Sequence, residues 1–81
     1  MDKALSRLNL PHAVEIQTLK LLLQIARAHT ADDLFRASDR AEGFVLGLET
    51  AKVLNAASIE GLYTAFEAAA TERRQEPHND R

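Results

Sequence analysis

Cysteine and tryptophan are absent from this 81-residue chain, and glycine and proline number only three and two. Without cysteine there can be no disulfide and no thiolate metal site, so neither staples the fold. Long apolar runs are missing too. None exceeds three residues, as in Leu21-Leu22-Leu23, against the roughly 20 needed to span a bilayer. The opening Met1-Asp2-Lys3-Ala4-Leu5-Ser6-Arg7 is charged and lacks the apolar stretch of a secretory signal. A soluble, cytoplasmic protein is the expectation. No sign of charge predominates either: the formal net charge is −2, which argues against general nucleic-acid binding and against an anionic membrane surface.

What the chain does have is helix-forming material. Fourteen alanines and twelve leucines stand among 46% hydrophobic residues, and no segment sustains the alternation of a strand. A core built from so short a chain rarely supplies more than about 3–5 kcal/mol without a disulfide, a metal or a second subunit. With disulfides excluded, self-association becomes an expectation before any single residue is considered.

Three segments carry helical periodicity. Ahead of them Asp2 can cap a short turn presenting Leu5 and Leu8, which Asn9-Leu10-Pro11 then stops. The first long helix is expected from about Pro11 to His29. Its polar stripe (Gln17, Lys20, Gln24 and Arg27) is narrow. Leu10, Val14, Ile16, Leu19, Leu21, Leu22, Leu23 and Ile25 spread over most of the remaining circumference. That arc is about twice the apolar stripe of an ordinary surface helix, so it needs cover on two sides.

Thr30-Ala31-Asp32-Asp33 reads as an N-cap followed by an acidic first turn, opening a second helix from about Ala31 to Lys52. Leu34, Ala37, Ala41, Phe44, Val45, Leu48 and Ala51 form its apolar stripe, with Phe35 and Leu46 off to one side. Gly43 permits this helix to bend or break. Asn55 or Ser58 caps the third helix, which runs to about Arg74 with Ile59, Leu62, Tyr63, Phe66, Ala69 and Ala70 on one face. Gln75 to Arg81 is polar and contains Pro77. The expected fold is all-α: a small antiparallel three-helix domain over residues 1–74, with a short N-terminal helical turn and a disordered polar tail over 75–81. Its predicted core comprises Ile16, Leu19, Leu22, Leu23, Leu34, Ala41, Phe44, Val45, Leu48, Ile59, Leu62, Tyr63 and Phe66.

Chemistry is harder to find. His12, His29 and His78 lie at a helix start, a helix end and the tail, and no local spacing gathers them around a metal. Serine and threonine fall at caps or on helix surfaces, and Asp32 and Asp33 are adjacent and so diverge. Gly43-x-x-x-Gly47 lacks the Lys-Ser/Thr of a phosphate loop. No enzyme, cofactor, metal or small-molecule substrate is expected. A helix-turn-helix reading of the last two helices meets a recognition helix with no lysine or arginine before Arg73, and with Glu60 and Glu67 outside. The first helix lacks tryptophan and carries only Lys20 and Arg27 on its polar stripe, which suits a buried helix better than a membrane-surface one.

The favoured function is therefore a non-enzymatic protein–protein interaction module that forms a homodimer and binds a larger macromolecular partner. Leu5, Leu8, Leu10, Val14, Leu21 and Ile25 are the expected dimer or partner interface. Gly43 and Gly47, bordered by Arg36, Arg40 and Thr50, form either a bend or tight internal crossing or a docking groove for a partner helix, which Gly61 would widen. Two alternatives stand beside it: a monomeric inhibitor or adaptor of the phage or plasmid type, and a dimeric DNA-binding regulator using the arginines of the second helix.

Overall fold

The computed structural model describes residues 8–75, in which three helices follow one another: α1 (His12–Ala26), α2 (Ala31–Thr50) and α3 (Ala56–Gln75). No strand occurs among the described residues, and the all-α, three-helix expectation is met. Of the expected N-terminal turn, which reaches Leu8, residues 2–7 lie outside them, as does the tail from residue 76 onward. Gln75, assigned to the tail, is still helical.

Each boundary has a local cause. Leu8 and Asn9 turn the chain into α1, with Asn9 left-handed at φ 55°. Pro11 supplies the first carbonyl of α1, accepting from Glu15 N–H at 2.9 Å, and its own missing N–H costs nothing there. The helix ends at Ala26, three residues short of the expected His29. The Arg27 N–H bonds Leu23 O at 2.9 Å and the Ala28 N–H bonds Ile25 O at 3.2 Å, so the last turn tightens before Thr30 starts the next helix.

Thr30 Oγ1 accepts from the Asp33 N–H at 3.0 Å, as its N-cap reading requires, and Asp32 and Asp33 sit at the positive end of the dipole. α2 ends in a paired motif: the Val53 N–H reaches back to Leu48 O at 3.2 Å and the Lys52 N–H to Glu49 O at 3.1 Å. Lys52 holds the left-handed conformation (φ 58°) that this ending demands, where glycine is the usual occupant. Asn55 then caps α3, its Oδ1 accepting from the Ser58 N–H at 2.8 Å.

The core lies along the shared seam of the three helices. Leu21, Leu22 and Ile25 come from α1, Leu34, Ala37, Ala41 and Val45 from α2, and Ile59, Leu62, Phe66 and Ala70 from α3. Leu19, Phe44, Leu48 and Tyr63 pack at its margin, half-buried. Alanines at Ala37, Ala41 and Ala70 leave little side chain between helices, which favours a close approach of their axes. Two long-range hydrogen bonds fix the ends. Ser58 Oγ donates to Leu8 O at 3.2 Å, and Arg73 Nε donates to Ala28 O at 2.9 Å. They tie the start of α1 to the start of α3, and the end of α1 to the end of α3.

The predicted core needs two corrections, both on α1. Ile16 and Leu23, expected inside, are each 47% exposed. The centre of the buried face is Thr18, fully enclosed, whose hydroxyl donates to Val14 O one turn back at 2.8 Å. That internal bond removes the desolvation cost that keeps most threonines at the surface.

Candidate functional surfaces

Rotation of α1 decides which of the expected interface residues are available. Leu21 and Ile25, expected at a dimer surface, are 1% and 0% exposed within a single chain. They belong to the core. The cause is the breadth of the apolar arc: when most of a helix is apolar, periodicity does not say which part turns inward. Here Thr18, Leu21, Leu22 and Ile25 turn inward, and Ile16 and Leu23 take the outer position expected of Leu21 and Ile25.

The remaining interface candidates sit near the N-terminal turn. Leu5 lies outside the described residues. Leu8, Leu10 and Val14 are half-buried, and the first two pack against the core. Leu8 has a structural partner: a Cβ on Gly61 would stand 2.5 Å from Leu8 Cδ2, so this glycine is the seat of that leucine. Gly61 does not widen an open groove. A contact across more than fifty residues of chain carries no local sequence signal.

The five groove residues, Arg36, Arg40, Gly43, Gly47 and Thr50, are all exposed along one side of α2. A Cβ at Gly43 or Gly47 would meet nothing within 4 Å, so no helix among the described residues crosses there. The tight internal crossing is thereby overturned, and so is a break, since α2 runs unbroken from Ala31 to Thr50. Arg40 leans away from the glycines, its Nη1 donating to Gln24 Oε1 on α1 at 3.0 Å. Beside this face Phe35 is 72% exposed and Leu46 55%, and Val53 beyond the helix end is 51% exposed.

A site that the sequence did not announce lies at the α2–α3 corner. An open cleft of about 510 Å³ is lined by Glu49, Lys52, Leu54, Ala56, Ile59, Glu60 and Tyr63. The Tyr63 hydroxyl points to Glu49 Oε1 across a long 3.5 Å contact. Desolvation first, then the charges of Glu49 and Glu42, push the Tyr63 phenol above the ordinary tyrosine value. A phenol held protonated can donate a hydrogen bond but does not serve as a base. The cleft draws on a helix end, a connection and the next helix, three segments whose periodicities are unrelated.

His12 and His29 are exposed, and His78 lies outside the described residues. Among the described residues no three His, Asp or Glu side chains gather as metal ligands, and no helix is long and apolar enough to cross a membrane. Compared with known proteins, the chain matches no family model, no curated protein and no solved structure.

Proposed function

We propose that this chain is a cytoplasmic, non-enzymatic protein–protein interaction module that self-associates and acts by binding a larger macromolecule. The observation that carries the reading is the placement of apolar bulk. Five large apolar side chains, Ile16, Leu23, Phe35, Leu46 and Val53, are 47–72% exposed on a chain of 81 residues. Single exposed leucines are common on any protein, whereas apolar residues concentrated along a helix face mark surfaces that other molecules cover. The polar groups nearby do not converge on a reacting centre. Glu49, Glu60, Lys52 and Tyr63 edge an open cleft, while Arg36 and Arg40 line a solvated helix side.

Light scattering over a concentration series tests the self-association. A mass rising toward about 18 kDa, twice the 9.0 kDa chain, is the expected result. A mass fixed at 9.0 kDa at every concentration overturns it and favours the monomeric inhibitor or adaptor instead. Salt separates the DNA-binding alternative, because a complex held by Arg36 and Arg40 on phosphates weakens steeply as salt is raised.

A further inference from the structure

We infer that the outer seam of α1 is where two copies of this chain meet, with the two α1 helices parallel; this rests on the self-association proposed above. The outward residues of α1 are not scattered. His12, Ile16, Leu19, Leu23 and Ala26 follow the alternating four- and three-residue spacing of a coiled-coil seam, with Ile16 and Leu23 at the a positions and Leu19 and Ala26 at d. All except Leu19 are exposed, and Leu19 is half-buried at the core margin. On the helical wheel the seam residues lie about 80–160° around from Thr18, the centre of the core face, so Ile16 and Leu23 stand clear of α2 and α3 while Leu19 and Ala26 border the core face.

Charge selects the occupant and its direction. With Ile16 at a, Glu15 takes the g position and Lys20 the following e position, five residues on. In a parallel pair, g of one helix faces that e of its partner. Glu15 of each copy therefore meets Lys20 of the other, and the two-fold axis makes the contact twice. Among the described residues neither side chain has an ion-pair partner within its own chain. The antiparallel arrangement sets e against e, bringing Lys20 and Arg27 against the same cations of the second copy. The seam is thus self-complementary in one direction only.

Size sets the strength. Two heptads cover less than the roughly 800 Å² per partner of a standard interface, so a weak dimer is expected, with dissociation in the micromolar range or above. In the first heptad, Ile16 at a with Leu19 at d is the pairing that suits two strands.

The absence of native cysteine makes the geometry testable. His12→Cys and Ala26→Cys stand fourteen residues apart, about 21 Å along the helix, far beyond the reach of one disulfide. Oxidised separately, each variant is expected to form covalent dimers through its single cysteine. Crosslinking only when the two variants are mixed means an antiparallel pair and overturns the inference. In sedimentation up to millimolar concentration, I16E/L23E is expected to be monomeric with an unchanged helical spectrum, while F35S/L46Q still dimerises. E15K is expected to weaken the dimer by roughly tenfold, and E15K/K20E to restore it.

A dimer that survives I16E/L23E but is lost in F35S/L46Q overturns the seam while leaving self-association standing. A wild-type chain that stays monomeric to millimolar concentration overturns both.

Discussion

α1 and α2 both carry more apolar residues than the core consumes, yet they dispose of the surplus differently. On α1 the surplus is contiguous, with Ile16 and Leu23 one heptad apart and Leu19 between them. On α2, Phe35 and Leu46 are eleven residues apart, roughly 16 Å along the axis, with Asp39 and Glu42 between them. α2 instead presents Gly43 and Gly47 to open space. Contiguity rather than total exposed apolar area is what lets a helix face exclude water with a partner. The difference marks α1 as the stronger docking element, and it can be broken or sharpened by mutation.

The largest effect separates the two faces of α1. Ile25→Ala empties a fully enclosed site and is expected to cost about 2–5 kcal/mol, as much as a core of this size supplies, so the variant should be largely unfolded. Leu23→Ala, two positions away but 47% exposed, is expected to cost less than about 1 kcal/mol in dilute solution, where the chain is monomeric. Urea titration followed by circular dichroism measures both. Equal losses would mean that α1 is rotated from the orientation described. For the same reason a glutamate at Leu21 or Ile25 tests folding, not dimerisation.

On α2 three substitutions should raise stability. Ser38 Oγ is buried without a hydrogen-bond partner among the described residues. Ser38→Ala removes a desolvated hydroxyl and improves helix propensity, for an expected gain of about 1 kcal/mol. A loss instead would show that the hydroxyl has a partner in solution. Gly43→Ala and Gly47→Ala come next, each gaining about 0.5–1 kcal/mol because the added methyl meets nothing and stiffens a helical position. Thermal melts report the gain. If α1 alone carries the self-contact, the solution mass of both glycine variants should match the parent. A lower mass would move the contact to α2.

The legible part of this fold was local. Thr30 is readable as a cap, and Asn55 as one of two candidates with Ser58, because an N-cap is a short-range hydrogen bond; the two accept from Asp33 and Ser58 respectively. α2 and α3 each have one clear apolar stripe, so Leu34, Ala41, Val45, Ile59, Leu62 and Phe66 could be placed inside from spacing alone. α1 could not be oriented in that way, and the error exchanged Ile16 and Leu23 for Leu21 and Ile25. Thr18 is the residue that would have settled it, and its polarity concealed it. The corner cleft and the Leu8–Gly61 contact were illegible for another reason: they join segments whose approach is set by packing, not by any motif.

The smallest predicted effect concerns the α2–α3 corner, where Tyr63 is the chain's single tyrosine, so its phenolate absorbance can be followed without interference. Desolvation, then Glu49 and Glu42, raise its pKa above the ordinary 10.0. The folded chain therefore holds this proton more tightly than the unfolded chain does. Its contribution to stability is complete below the unfolded value and is lost as pH rises through the folded one. Alkaline unfolding should accordingly steepen above pH 10.0 in the parent and less so in Tyr63→Phe. Glu49→Gln removes one charge and the charged acceptor of the 3.5 Å contact, and should return the phenol only part of the way, because desolvation remains. A phenol that titrates at the ordinary value in the parent would mean that α3 does not hold its ring against the end of α2 in solution, and the corner cleft would lose its polar edge.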